Sequence, residues 1–159
     1  MFCCRLCNMN DKERWIAMNR EFMEEEIKDD SLWNHTGQTG DAQFARTFAE
    51  GLNSDELISF MIFEEDGVPV GFANLMTIYS VWTHGKALIL DDLYLRPDVR
   101  GKGYGKQALD CIEKFAVQRG CKRLQFQSEV TNSNAMEFYI SQGYSPADMK
   151  FYVKYFDRE

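Results

Sequence analysis

The six residues Arg100-Gly101-Lys102-Gly103-Tyr104-Gly105 constrain this chain's architecture more than any other stretch. Before them runs an apolar segment, Ala87 to Leu95, interrupted by Asp91-Asp92 and closed by Pro97, which has no N–H to give a strand ladder. After them the apolar spacing turns helical: Ala108, Leu109, Ile112, Phe115 and Ala116 fall on one face, and Arg119 with Gly120 reads as a C-terminal cap. The next run, Lys122 to Val130, alternates again through Leu124, Phe126 and Ser128. The unit is strand, glycine loop, helix, strand, which crosses over right-handedly and pairs its strands in parallel.

Charge at the helix entrance adds a functional clue. A helix N-terminus carries partial positive charge and unpaired N–H groups, so acids are favoured there and cations disfavoured. This loop carries Arg96, Arg100, Lys102 and Lys106, with no acid after Asp98. That placement suits a bound anion, and the glycines let backbone amides approach it, so a phosphate or diphosphate is the natural guest. A P-loop is excluded because Gly101 and Gly105 are too close and Gln107 stands where a metal-binding hydroxyl is needed. A dinucleotide-binding fingerprint fails on the spacing of the same glycines.

Arg-x-x-Gly-x-Gly after a strand resembles the acetyl-CoA-binding motif of the GNAT superfamily of acyl-CoA N-acyltransferases. Asn132-x-x-Ala135-x-x-x-Tyr139, followed by Gly143-Tyr144, lies where that family has the second half of its pattern. Together the motifs span residues 88 to 144, over a third of the chain. The resemblance implies an α+β (α/β) GNAT-like three-layer fold, with a mixed central sheet of six or seven strands and about four helices. It implies acetyl-CoA as co-substrate and no metal. The pantetheine arm would pair with the backbone of Leu93, Tyr94 and Leu95, whose amides near Tyr94 and Leu95 would also receive the thioester oxygen. The diphosphate would lie over Arg100, Gly101, Lys102, Gly103, Tyr104, Gly105 and Lys106. Tyr139 matches the family's general acid. A phenol of pKa ~10 can protonate a thiolate of pKa ~8.5 or a little above without itself ionising near neutrality. Asn132 reads as a helix cap that also touches the pantetheine arm.

Asp91-Asp92 breaks an apolar strand, and acids in such a place need a reason. Successive residues point to opposite faces, so one would enter an acceptor pocket unless a bulge redirects the other. An acid pair nine residues before the motif arginine is similar to the pattern in polyamine acetyltransferases, where acids bind the cationic substrate or accept the amine proton. Asp91 is the first candidate and Asp92 the second, against a purely structural acid at the sheet's split. His35 and His84 are conceivable bases but sit in expected loops, and Glu64 and Glu65 read as solvated residues closing a hairpin strand.

With 159 residues, 45% of them apolar, the chain is expected to form one domain, residues 1–159. Its net charge of −7 argues against a nucleic-acid partner, although half of the 18 basic residues fall between Lys86 and Arg123. No apolar run approaches the ~20 residues that cross a bilayer. With no signal peptide legible, we expect a cytoplasmic protein without a membrane partner. Five cysteines, at 3, 4, 7, 111 and 121, follow no framework spacing and read as reduced thiols.

In chain order, the expected elements are a strand over residues 2–7 and a helix from an Asp11 cap to Lys28. The helix carries Trp15, Ile16, Met18, Asn19, Phe22, Met23 and Ile27 at helical intervals. A loop over residues 29–40 and a helix from Asp41 to Gly51 follow. The family resemblance puts this region, with Trp33 and His35, at the acceptor wall. Leu57–Glu64 and Val68–Val81 form a hairpin about Asp66-Gly67. Asn134–Gln142 is a short helix, and extended pieces around Tyr144 and over Lys150–Phe156 complete the sheet, the last equally suited to a homodimer partner. The reading is an N-acetyltransferase acting on a small cationic, polyamine-like amine by direct attack. A protein or peptide amine as acceptor, and a non-catalytic acyl-CoA sensor, are the alternatives.

Overall fold

The computed structural model describes residues 1–26 and 40–156, in two compact units, Met1–Gln127 and Ser128–Glu159. Trp33, His35 and the loop expected around them lie outside the described residues. The first unit runs β1 (Phe2–Leu6), α1 (Lys12–Glu26), α2 (Asp41–Leu52), β2 (Ile58–Glu65), β3 (Val68–Ser80), β4 (Gly85–Leu95), α3 (Tyr104–Gln118) and β5 (Arg123–Gln125). The second unit contains α4 (Ser133–Ser141).

The five strands lie in the order of the chain, antiparallel from β1 to β4 and parallel between β4 and β5. The glycine-loop crossover therefore has the topology its sequence requires, and the fold is α+β with a mixed sheet and four helices. The sheet has five strands among the described residues, not six or seven. The pieces around Tyr144 and over Lys150–Phe156 are irregular chain. Alternation specifies a face, but a strand exists only where a ladder forms, and the sequence does not name a partner for these pieces.

β2 carries an unbroken apolar run, Phe60 to Phe63, because both its faces are covered. Phe60 and Ile62 join Trp15, Phe44, Phe48, Phe72 and Tyr94 in one core cluster beneath α1 and α2. Phe63, on the alternate face, stacks on Phe2, which in turn stacks on Tyr104 at the start of α3. Helices thus sandwich the sheet, with α1 and α2 on one side and α3 on the other.

α1 begins differently from the sequence expectation. Asn8, not Asp11, is the cap: its side chain accepts from the Asn10 amide, and the Asp11 carboxylate accepts in return from the Asn8 amide at 2.9 Å. A single 3-10 turn, Met9–Asp11, leads into the helix. Asp11 is nearly fully buried and receives two hydrogen bonds from the Arg5 guanidinium, at 2.8 and 2.9 Å, which hold its pKa below the usual carboxylate range.

Two further expectations fail because of pairings that local pattern cannot show. Glu64, read as solvated, is 8% exposed: β1 aligns beside β2, and Arg5 binds Glu64 at 2.7 Å. Cys4 and Cys111, read as reduced thiols, form a disulfide between β1 and α3. Cys4 lies opposite Phe63, on the sheet face that α3 covers, and the two Cα atoms are 6.5 Å apart across a separation of 107 residues. Cys7 is a buried thiol whose pKa is pushed up to about 12 by burial. No helix of the described residues is long and apolar enough to cross a membrane.

Candidate active site

The site is built on an irregularity of β4. Its register with β3 pairs Leu90 with Leu75 and Asp92 with Asn74, leaving Asp91 as an extra residue between two regular stretches of ladder. Such a bulge suspends the alternation of faces at one position. Both aspartates consequently line one cleft of about 450 Å³. The sequence left this point open between one acid and two, and a one-residue bulge decides for two.

The rest of the cleft comes from α1, α2, β2 and β3. Trp15, Phe22, Phe44 and Phe60 give it aromatic walls, and Thr47, Glu50 and Ser54 of the α2 region give it a polar rim. Glu50 is exposed. Gly51 makes the close approach of α2 to the sheet possible: a Cβ there would lie 2.4 Å from the Phe60 ring. Among the described lining residues there are three carboxylates and no basic side chain.

A chain of hydrogen bonds anchors the floor. The Trp15 indole Nε1 donates to Asn74 Oδ1 at 2.9 Å, which fixes the orientation of the Asn74 amide. Asn74 Nδ2 then faces Asp92 Oδ2 at 2.8 Å and Asn19 Oδ1 at 3.2 Å, while Asn19 Nδ2 donates to the Trp15 carbonyl at 2.7 Å. Asp92 is thereby held in place by a donor whose direction is set one bond further back. Asp91 differs: it is open at the surface, yet the crowding of the cleft walls desolvates its carboxyl enough to raise its pKa.

Trp15, Asn19, Asn74 and Glu50 were not singled out from the sequence. The one available signal was Asn19, a buried polar residue on the apolar stripe of α1, which needs a partner inside the fold. Nothing in the spacing connects Asn74 or Glu50 to the acid pair. His84 has φ 53° in the turn between β3 and β4 and is not among the cleft residues.

Beyond Ile89 and its partner Gln125, β4 and β5 share no further ladder. The stretch carrying Leu93, Tyr94 and Leu95 thus has β3 on one side and no described strand on the other. It leads through a 3-10 turn, Pro97–Val99, into the glycine loop. Gly101 and Gly103 adopt φ 80° and 82°, and a Cβ on either would meet nothing within 4 Å. Both glycines take up a left-handed turn that other residues rarely adopt. Gly103 caps α3 without a side-chain bond, and the first turn, Tyr104 onward, contains no acid. Its amides are the donor set that an anion would use.

The loop's cations are not left uncompensated. Arg100 makes a two-pronged pair with Glu25 at 2.5 and 2.8 Å and donates through Nε to the Leu95 carbonyl at 2.8 Å. Arg96 binds Glu21 at 3.0 and 3.1 Å, Lys106 binds Asp110 at 3.1 Å, and Lys102 stands 3.9 Å from Glu65. Acids from α1, β2 and α3 itself supply the partners that the loop sequence lacks.

In the second unit, Asn132 caps α4, accepting from the Ala135 amide at 3.1 Å. Tyr139 lies on that helix, its ring 5.4 Å from Phe138 and 6.3 Å, edge-on, from Tyr144. Gly143, at φ 92°, ends the helix as expected.

The acetyltransferase (GNAT) family model matches residues 15–144. An uncharacterised N-acetyltransferase of Bacillus subtilis, YhfO, is 33% identical over 107 residues, covering 67% of this chain and 72% of that protein. The thialysine N-epsilon-acetyltransferase of Sus scrofa is 31% identical over 74 residues, covering 46% of this chain and 43% of that protein. Among solved structures, the aminoglycoside N-acetyltransferase AAC(6')-Iy in complex with CoA superposes with a TM-score of 0.78 at 16% identity, covering 98% of this chain and 95% of that one.

Proposed function

Because the chain belongs to the acetyltransferase (GNAT) family, we propose that it moves an acetyl group from acetyl-CoA to a primary amine of a small, cationic, polyamine-like acceptor. Acyl-CoA-dependent N-acetyl transfer is the chemistry of the family and of this chain. The identity of the acceptor and the roles of individual residues are our reading. The observation that carries it is the bulge that turns Asp91 and Asp92 into one cleft with aromatic walls and no basic lining residue. Such a cleft attracts an ammonium ion and offers it carboxylate partners.

In this mechanism the pantetheine arm runs along Leu93, Tyr94 and Leu95, and the diphosphate occupies the turn Arg100–Lys106, with Gly101 and Gly103 shaping it. Arg100 would exchange or share its Glu25 partner with the incoming phosphate. Main-chain N–H groups near Tyr94 and Leu95, on the edge of β4 that faces away from β3, receive the carbonyl oxygen as it becomes an oxyanion. The neutral amine attacks the thioester carbon directly, forming the C–N bond as the C–S bond breaks. Asp92 holds the incoming ammonium group, which gives one proton to water to become the nucleophile; the proton left surplus on nitrogen after attack passes to Asp91, whose pKa is raised by desolvation. Tyr139 gives its phenolic proton to the leaving thiolate. The motif spacing and the capped helix that carries this residue support the assignment. Asn132, besides capping α4, contacts the pantetheine arm.

The test is a screen of amines with free CoA as readout. Turnover of small cationic amines, but not of peptide amines, is the expected result. CoA binding without turnover on any amine would convert the reading to that of a sensor. Tyr139→Phe should lower kcat by about 10²-fold or more while leaving the KM for acetyl-CoA within a few-fold; equal kcat refutes the acid role.

A further inference from the structure

The proposed function leaves one carboxylate of the cleft unused. Asp91 and Asp92 suffice for a single ammonium group, yet Glu50 stands on the same cleft from a different element, the last turn of α2. A monoamine on the aspartates would leave an excess of negative charge facing apolar walls with no basic residue among the described lining to offset it. A second cationic centre on the substrate removes that imbalance.

The topology separates the two acidic positions. Gly51, the neighbour of Glu50, is pressed against Phe60 of β2, so Glu50 stands over β2. The aspartates are on β4, two strands further across the sheet. Adjacent strands lie ~4.8 Å apart, which puts the two acidic positions on the order of 10 Å from one another across the cleft. The cleft they share is also lined by the rings of Trp15 and Phe60, 4.8 Å centroid to centroid, and by Met76. Those apolar groups suit the methylenes of an alkyl chain.

We propose that Glu50 is the specificity-determining residue for the distal cation, and that the acceptor is an unbranched diamine whose second ammonium binds Glu50 while the first reacts beside Asp91 and Asp92. The assignment rests on the N-acetyltransferase reading given above and narrows its substrate. Glu50 touches the non-reacting end, so it acts on substrate choice and not on the chemical step. Coulombic attraction across a cleft partly screened by water makes such a contact worth on the order of a tenfold preference.

The experiment compares α,ω-diamines of increasing length with monoamines of matched length. Kinetics of CoA release are read in the intact enzyme and in the Glu50→Gln and Glu50→Asp variants, and calorimetric binding of the same amines is measured in the presence of CoA. Wild type should prefer diamines by about tenfold or more in kcat/KM. Glu50→Gln should lower that preference at least fivefold, with the change in KM rather than kcat. Glu50→Asp, whose carboxylate is one methylene shorter, should move the preferred diamine to a longer one. A wild-type enzyme indifferent to the second amine, a Glu50→Gln preference within fivefold of wild type, or an unmoved length optimum would each overturn the assignment while leaving N-acetyl transfer standing. Diamine binding that depends on Glu50 without turnover of any amine would keep the distal site and refute the catalytic reading. Neither binding nor turnover refutes both.

Discussion

Replacing Asn74 with leucine tests the floor of the cleft. Asn74 receives the Trp15 indole N–H at 2.9 Å and donates to Asp92 at 2.8 Å and Asn19 at 3.2 Å. Leucine has a similar size, so the backbone of β3 need not move, but all three bonds are lost. Trp15 is 2% exposed, so its N–H is left without water or protein, at about 1–3 kcal/mol. Losing the bond to the Asp92 carboxylate costs about 1.5–3 kcal/mol before water compensates part of it, and the neutral bond to Asn19 about 1 kcal/mol. Burial of the added methyl groups returns on the order of 1–2 kcal/mol. The net loss is about 3 kcal/mol, which for a chain of this length lowers Tm by roughly 6–12 °C. Asn74→Asp is the informative companion: it still accepts from Trp15 but sets one carboxylate against another. The acid pair then has a folded-state pKa raised above the unfolded value of about 3.9. Stability is accordingly intact below that unfolded value and is lost as pH rises through the raised folded one, so the Asn74→Asp deficit shrinks in acid by more than the leucine deficit, which loses only the charge-assisted part of the Asn74–Asp92 bond. Thermal unfolding at pH 4 and pH 7 reads both. A leucine variant melting within about 2 °C of wild type, or two variants with the same pH dependence, would refute the network.

The remaining expectations concern charge. Asp91 is desolvated in the folded cleft and its pKa is raised, so its charged form costs stability above its unfolded pKa; Asp91→Asn should therefore melt no lower than wild type while kcat/KM falls by about tenfold or more. A variant that melts lower yet keeps its activity would contradict that assignment. Asp11 has the opposite sign: its lowered pKa, due first to the Arg5 hydrogen bonds, contributes stability that is present above about pH 4 and lost as pH falls through the folded value. Asp11→Asn should be less stable at pH 7 by about 2 kcal/mol and show a shallower loss on acidification, measured by urea unfolding across pH; parallel pH curves would refute it.

What was legible in the sequence followed from local spacing. The crossover from β4 through the glycine loop to α3 and β5 was readable because Pro97, the glycines and Gly120 each permit few conformations. The hairpin at Asp66-Gly67 was readable for the same reason, both residues taking positive φ, 51° and 81°. The Asp91-Asp92 interruption was visible, but whether one or both acids share a cleft depended on a register shift against β3, which is a property of two strands and not of one. Asn74 and Glu50 carried no mark because their roles arise from elements that meet only in the fold. The Glu64 and Cys4 readings failed on the same ground, since both depend on β1 lying beside β2. The partners of the loop's cations were not visible locally: Glu21 and Glu25, which pair with Arg96 and Arg100, are 75 residues earlier in the chain.

The surplus position in β4 has a consequence for how this protein can vary. Every partner pair on either side of it, from Gly71 with Leu95 to Ser80 with Gly85, closes without it. Excising that single peptide unit would yield a smoother ribbon with its neighbours still matched, and would remove the carboxylate to which we assign the proton. Shape and reactivity are thus separable at one residue, and a relative one amino acid shorter here could keep the architecture while abandoning the reaction.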